Sequence, residues 1–300
     1  MVVLTATCWG FSGSLSKFVM QAGVNPMTIS LGRSLITTGL LLIYFLAARR
    51  SALRVDRRAA LWLVVFGVFL ATVQVLYFSA IERLNVATAI LLEYLAPAMV
   101  VAFAWVFQKR RPTALTVMAL VAALAGCALI VQAFDLEALS LSAAGTAFGI
   151  GAAVAFSGYI LVSEHIQDRV GVTSQLFYGF AVSSIVIGLL QPPWRMPAAA
   201  FEPRHLALLL VIGTLGTLLP FGAFLAALAV LDPGRATIVS TLEPVVAGVV
   251  SFLWFGEGFS APQLAGAALV IAAVIALQRG QPEGEAIAGP ETVVITRTEG

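Results

Sequence analysis

The sequence predicts an all-α integral membrane protein of ten transmembrane helices arranged as two inverted five-helix repeats. Three observations carry this. First, 60% of the 300 residues are hydrophobic and only 11% are charged, whereas a soluble globular domain carries about 45–50% apolar and about 25% charged residues. Such a chain cannot cover its surface with polar groups, so its solvent is lipid. Second, the apolar residues gather into segments of roughly 20, the length that crosses a bilayer core as a helix. Third, the chain repeats itself with a shift of 147 residues: Glu93-Tyr94-Leu95-Ala96-Pro97 lies over Ser240-Thr241-Leu242-Glu243-Pro244. The same shift lays Leu84-Asn85 over Leu231-Asp232, Ala89 over Ala236, Tyr77 over Phe224 and Trp9 over Phe156.

The ten spans fall at 2–21, 26–48, 59–81, 85–107, 113–132, 142–164, 173–191, 204–230, 234–255 and 261–279. Short breaks rich in turn or charge signals separate them, such as Asn25-Pro26, Lys109-Arg110-Arg111-Pro112 and Asp232-Pro233-Gly234. The first repeat is 1–132 and the second 133–279. Residues 280–300, rich in Gly, Pro, Glu and Thr without apolar period, read as a disordered cytoplasmic tail. The first apolar stretch starts at Val2 with no basic region before it, so it reads as a span and not as a secretory signal. Cys8 and Cys127 both lie in apolar segments and suit packing better than a disulfide or a metal site.

Basic residues orient the chain, because cytoplasmic loops carry the excess of Lys and Arg. With the N-terminus in the cytoplasm, Arg49, Arg50, Arg54, Arg57, Arg58, Lys109, Arg110, Arg111, Arg169, Arg235, Arg279 and Arg297 fall inside. Only Arg83, Arg195 and Arg204 fall outside, and Lys17 and Arg33 lie within spans. Both termini are therefore expected in the cytoplasm. Five spans per repeat is an odd number, so the second copy starts on the opposite face and the two are inverted. Duplicated bundles of this kind, with interrupted helices at matching places, mark secondary transporters.

The repeat also selects a candidate cavity. Trp9, Ser12 and Ser16 share one face of the first helix by their spacing of three and four; their counterparts are Phe156, Tyr159 and Ser163. Gln74, Tyr77 and Phe78 share a face of the third helix and correspond to Phe221, Phe224 and Leu225. Glu93, Tyr94 and Pro97 correspond to Ser240, Thr241 and Pro244. Spans two, five, seven and ten are mostly plain aliphatic and read as scaffold. Glu93 is the sharpest single residue, since an ionised side chain in mid-membrane costs about 2.5–3.5 kcal/mol even on lenient scales. It is a candidate to bind a substrate ammonium or to carry a coupling proton, and Glu243 is a second candidate for coupling. Pro97, Pro220 and Pro244 lie within spans, remove helical hydrogen bonds and read as hinges. They free carbonyls near Glu93, Gly216 and Ser240. Arg33 sits roughly 10 Å into the second span and has a claim to an ion pair or a substrate carboxylate. Lys17 is expected to snorkel to the interface, and His165 and His205 to sit at helix ends.

Signals for an enzyme are weak. No GxxxxGK[ST] loop is present, which argues against ATP drive, and there is no HExxH. Gly10-Phe11-Ser12-Gly13 matches a pattern around intramembrane serine-protease nucleophiles, but neither histidine lies deep enough to serve as its base. No cofactor and no nucleic acid are implied. The expected partners are a small-molecule substrate, the lipid bilayer and a coupling proton. Gly145-Thr146-Ala147-Phe148-Gly149 permits close helix contact but does not establish a dimer.

The chain resembles the ten-span EamA-type exporters of the drug/metabolite transporter superfamily. The resemblance covers residues 1–279 and rests on the five-plus-five repeat, on Cys8-Trp9-Gly10 in the first helix and on the proline motifs of the fourth and ninth. Thr241-Leu242-Glu243-Pro244, Gly256-Glu257 and Gln263-Leu264-Ala265-Gly266 are close to the family pattern; in the first half Lys109-Arg110 stands where the Gly-Glu pair would be. Leu92-Glu93-Tyr94-Leu95-Ala96-Pro97 is similar to the fourth helix of bacterial amino-acid exporters of the threonine and aromatic type. The resemblance implies export of amino acids, aromatic or otherwise uncharged, and related metabolites across the bacterial inner membrane by alternating access. Efflux of cationic drugs by the same fold is the alternative, and a channel or an intramembrane enzyme stands behind both.

Overall fold

The computed structural model describes residues 1–84, 86–134, 142–255 and 258–280. The predicted tail at 281–300, the Gly256-Glu257 pair and Asn85 lie outside the described residues, as does the Lys17 side chain. The described residues form helices and the turns that join them: α1 (Val2–Gln21), α2 (Pro26–Ala48), α3 (Arg57–Ile81), α4 (Val86–Glu93), α5 (Ala96–Val106), α6 (Ala114–Ile130), α7 (Ala143–Ile166), α8 (Val172–Leu190), α9 (Pro203–Gly213), α10 (Leu219–Leu228), α11 (Pro233–Ser240), α12 (Glu243–Phe255) and α13 (Ala261–Arg279). Seven segments are long and apolar enough to cross a membrane, counting α4–α5 and α9–α10 as one each. With α1, the shorter α6 and the interrupted α11–α12 they make ten spans, each within about two residues of its predicted bounds.

Helix starts follow local chemistry. Four orphan N–H groups open every helix, and a side-chain oxygen at the preceding residue satisfies one of them. Asn25, Asp56, Thr113, Ser142 and Asp232 each accept from the backbone N–H three residues on. Ser260 completes a reciprocal capping box with Gln263. Thr113 and Ser260 are equivalent under the 147-residue shift, so the caps of α6 and α13 are repeated along with their helices. Gly23 takes φ +88° in the turn before α2, a conformation that glycine adopts at no steric cost.

Contacts between the halves come in reciprocal pairs. α1 packs on α11 and α12, and α7 on α4 and α5. α3 packs on α8, as α2 does on α9; α3 runs along α7, as α1 does along α9 and α10. α2 meets its own counterpart α8, and α6 meets α13. The correspondence reaches single atoms. A Cβ at Gly10 would lie 2.9 Å from the Glu243 carbonyl. Ser157, the residue equivalent to Gly10, donates to the carbonyl of Ala96, the residue equivalent to Glu243, at 3.3 Å. The second Phe-Ser-Gly thus has a packing role. Gly145 and Gly149 likewise admit Leu84 and Leu92 of the same chain.

A close crossing joins α6 to α13. A Cβ on Gly126 would meet the Gly266 carbonyl at 2.7 Å, and one on Gly266 would meet the Gly126 carbonyl at 2.5 Å. Overpacking such a contact costs about 1–3 kcal/mol. Gly266→Val should therefore lower the melting temperature of the purified protein in detergent. Gly39→Ala, where an added methyl meets nothing within 4 Å, should leave it unchanged or raise it.

Candidate functional site

Both helices with paired prolines are broken, and at equivalent places. A proline cannot donate its backbone N and crowds the carbonyl four residues back. α4 ends at Glu93 and α5 starts at Ala96; α11 ends at Ser240 and α12 starts at Glu243. The intervening Tyr94-Leu95 and Thr241-Leu242 form tight turns, in which Leu95 N–H bonds the Leu92 carbonyl and Leu242 N–H bonds the Val239 carbonyl. Ser240 and Thr241 spend their hydroxyls on the carbonyls of Thr237 and Ile238 three residues back, at 2.7 and 2.6 Å. These two candidate cavity residues are buried and serve the backbone of their own break. Pro220 differs. A π-helical turn at Thr214–Leu218 joins α9 to α10 just before it. Thr217 donates its hydroxyl to the Ile212 carbonyl, and Thr5 of α1 reaches the Pro220 carbonyl at 3.1 Å.

Around the two breaks lies a polar centre. Glu93 and Glu243 stand at them, Tyr77 comes from α3, and Tyr94 turns its hydroxyl toward the Glu243 carboxyl. Arg33 of α2 lies within electrostatic range of Glu93 and, more weakly, of Glu243. Its guanidinium donates from Nε to Gln74 Oε1 at 2.8 Å, and Gln74 in turn donates from Nε2 to Ser183 Oγ of α8 at 3.0 Å. No ion pair within 4.0 Å closes between Arg33 and either carboxylate among the described residues. Arg33, Glu93 and Glu243 each keep part of their surface accessible although helices surround them. Opposite charges thus stand within electrostatic range of one another, each with some accessible surface.

The division into cavity and scaffold spans needs correction here. Span two supplies Arg33 and span seven supplies Ser183, so both reach the polar centre. The signal for Arg33 was in the sequence, as a charge well inside an apolar segment. Nothing in the sequence singled out Ser183, one of several hydroxyls on α8.

The aromatic candidates form a different body. Trp9 packs edge-on against Phe221 with centroids 5.1 Å apart and lies 5.5 Å from Phe224. Phe156 stacks on Tyr159 at 5.6 Å, and Tyr159 meets Phe66 at 5.2 Å. Tyr159 and Phe224 have no exposed surface. These side chains pack on one another as an aromatic block, with Trp9 and Phe156 keeping part of their surface accessible at its edge. Ser163 lies beyond it, donating to Gln175 Oε1 at 2.9 Å. Ser12 is buried against Gly216 of the π turn, and Ser16 is partly exposed. Phe78 is buried and contacts Tyr77.

The block and the polar centre sit at different depths. Ten spans put both chain ends on one side. Trp9, Phe66, Phe156, Tyr159, Phe180, Phe221 and Phe224 all belong to the halves of their helices nearer that terminal side; Arg33, Gln74 and Tyr77 belong to the opposite halves. The broken spans agree. Their terminal-side halves, α5 and α11, pack together, whereas α4 and α12 form no comparable contact among the described residues. The bundle is tight on the terminal side and looser on the other.

The family model described as "EamA-like transporter family" matches residues 1–132 and again 143–278. An uncharacterized inner membrane transporter, YicL, of Salmonella typhimurium is 27% identical over 286 residues, covering 91% of this chain and 92% of that protein. The threonine/homoserine exporter RhtA of Escherichia coli K12 is 27% identical over 270 residues, covering 89% and 83%. One solved crystal structure superimposes with a TM-score of 0.78 at 18% identity, over 92% of this chain and 94% of the other; at that identity the likeness is one of fold.

The Tyr159 hydroxyl is buried in the aromatic block without a hydrogen-bond partner among the described residues. An unmet buried hydroxyl costs about 1–3 kcal/mol, so Tyr159→Phe should raise the thermal midpoint in detergent. A fall would mean that the hydroxyl serves a bound molecule. Phe224→Ala should cost about 3–5 kcal/mol by opening the block.

Proposed function

The chain belongs to the EamA-like transporter family, a family of transporters and not of enzymes, and we propose that it exports uncharged amino acids and related small metabolites by alternating access. It is a multi-pass membrane protein; we place it in the bacterial inner membrane with both termini in the cytoplasm, on the excess of basic residues in the terminal-side loops. The single observation that carries the substrate class is the pairing of charges in the polar centre. Arg33 lies within electrostatic range of Glu93, both keep part of their surface accessible, and no ion pair within 4.0 Å closes between them among the described residues. An α-amino acid brings a carboxylate for Arg33 and an ammonium for Glu93 or Glu243, and so satisfies both charges at once. Planar, two-pronged guanidinium contacts suit a carboxylate. The relatives named threonine/homoserine exporters agree with this class, and Tyr77 and Tyr94 beside the centre suit an uncharged or aromatic side chain.

Coupling follows from the count of charges. Two carboxylates stand against one guanidinium, and an excess charge in a membrane interior is costly. A zwitterion adds no net charge, so one proton shared by Glu93 and Glu243 balances the loaded site. The same excess of carboxylate keeps the second reading alive, efflux of cationic drugs, which would use the glutamates and leave Arg33 idle.

Alternating access rests on the reciprocal packing of the halves, which supports an inverted pair of repeats. It rests also on the difference between the closed α5–α11 contact and the separated α4 and α12. Exchange of those two arrangements would carry the site from one face to the other, with the breaks at Tyr94-Leu95 and Thr241-Leu242 as hinges.

Counterflow in proteoliposomes tests the proposal. Labelled threonine, and the aromatic amino acids in the same panel, should exchange in a saturable way, while lipophilic cations should not. Absence of exchange for every amino acid would refute it. Arg33→Gln should lower exchange by at least about ten-fold, the loss of one charge-assisted contact. Glu93→Gln should remove the stimulation of uptake by an opposed proton gradient; an unaltered dependence would take Glu93 out of the proton path.

A further inference from the structure

A cavity of about 340 Å³ opens on the terminal side, away from the polar centre, between the end of α2, the loop before α3 and the start of α8. Its volume is at the lower end of the range for small-ligand sites, roughly 300–1,000 Å³. Arg49, Arg54 and Arg169 line it, with Thr173 and Ser174 of α8. Arg49 and Arg54 come from the α2–α3 connection and Arg169 from the turn between α7 and α8. No carboxylate lies within ion-pair distance of any of them among the described residues. The acidic lining residue is Asp56, whose carboxylate accepts from the Ala59 N–H as the cap of α3; Asp168 adjoins Arg169 in sequence but is not part of the wall. Three arginines thus share the wall with one acidic residue, whose carboxylate is already engaged. Gly171 opens α8 without a side-chain cap, so the positive end of that helix adds to the field.

We propose that this cavity binds the phosphate headgroup of an anionic membrane lipid. The choice of a lipid over a free phosphate comes from the wall on the α2 side. Tyr44 and Phe45 line the cavity, and Tyr44 is 43% exposed next to Ile43 at 67% and Leu46 at 48%. These side chains form the outward apolar face of a spanning helix one turn from the arginines. A phosphate held by guanidiniums at the helix ends would set its acyl chains along that face. Two-pronged arginine contacts are the natural partners of phosphate, and basic groups at the cytoplasmic end of a span attract anionic headgroups. The site is distinct from the transport centre, and binding is read without any transport assay.

Native mass spectrometry of the purified protein with added lipid tests this, using phosphatidylglycerol, phosphatidylcholine and inorganic phosphate as separate probes. The wild type should retain one phosphatidylglycerol in preference to phosphatidylcholine, and millimolar inorganic phosphate should not displace it. The double variant Arg54→Gln/Arg169→Gln should weaken retention by roughly ten- to thirty-fold, about one order of magnitude for each pair of basic groups near a surface. Arg57→Gln/Arg58→Gln, at the start of α3 but outside the cavity wall, should not. Equal retention in the first variant, equal loss in the second, or displacement by inorganic phosphate would overturn the proposal. Should the glutamine pair fail to fold, Arg54→Lys/Arg169→Lys decides. It keeps the charge and loses the planar fork, so weaker retention supports the site and full retention overturns it.

Discussion

A peptide group in lipid has no water to fall back on, and this molecule opens its helices only where protein can answer for them. Each unmatched backbone group in hydrocarbon costs several kcal/mol. Pro97 and Pro244 create such groups in the middle of two spans. The chain answers with turns at Tyr94-Leu95 and Thr241-Leu242, with the hydroxyls of Ser240 and Thr241, and with the close approach of α1 and α7 to α12 and α5. The breaks therefore sit deep in the bundle, and what sits beside them is deep as well. Glu93 and Glu243 adjoin the breaks in sequence, so the constraint on the backbone is also what carries two carboxylates into the interior.

Much of the fold was legible because lipid imposes a crude code. A span must be apolar for about 20 residues, and every break in that pattern is a loop, so all ten segments could be bounded from composition alone. The repeat located the broken helices through Pro97 and Pro244. The site was less legible. Arg33 was visible as a misplaced charge, but its partners Gln74 and Ser183 depend on which helices become neighbours, which no local pattern records. Pro220 marked an irregular place in its span, but not its form, a π turn in the preceding residues with Thr214 and Thr217 bonding upstream carbonyls. The aromatic set was read as cavity lining because an aromatic facing a hole and one facing another aromatic have the same helical spacing. Tyr159 and Phe224, which have no exposed surface, are the second kind in this arrangement, while Trp9 and Phe156 keep part of theirs accessible.

Function then rests on a difference between the halves and not on their likeness. Reciprocal packing alone would leave both faces equally closed. Here the aromatic block and the α5–α11 contact seal the terminal side, while the charged centre lies beyond them among more loosely packed half-helices. The duplicated positions also diverge where charge matters: Glu93 stands opposite Ser240, and Ala96 opposite Glu243. A symmetric frame thus holds an asymmetric pair of acids, with Arg33 from a third helix set against them.

The central claim is that this centre recognises both charges of a zwitterion. Equilibrium binding of labelled threonine to the purified protein, competed by its decarboxylated amine and by its deaminated hydroxy acid, tests it most directly. The account predicts that each analogue competes at least about ten-fold more weakly than threonine, since each abandons one buried charge, and that Arg33→Gln abolishes the advantage of threonine over the amine alone. An amine that competes as well as threonine against the wild type would contradict it, and would make the centre a cation site.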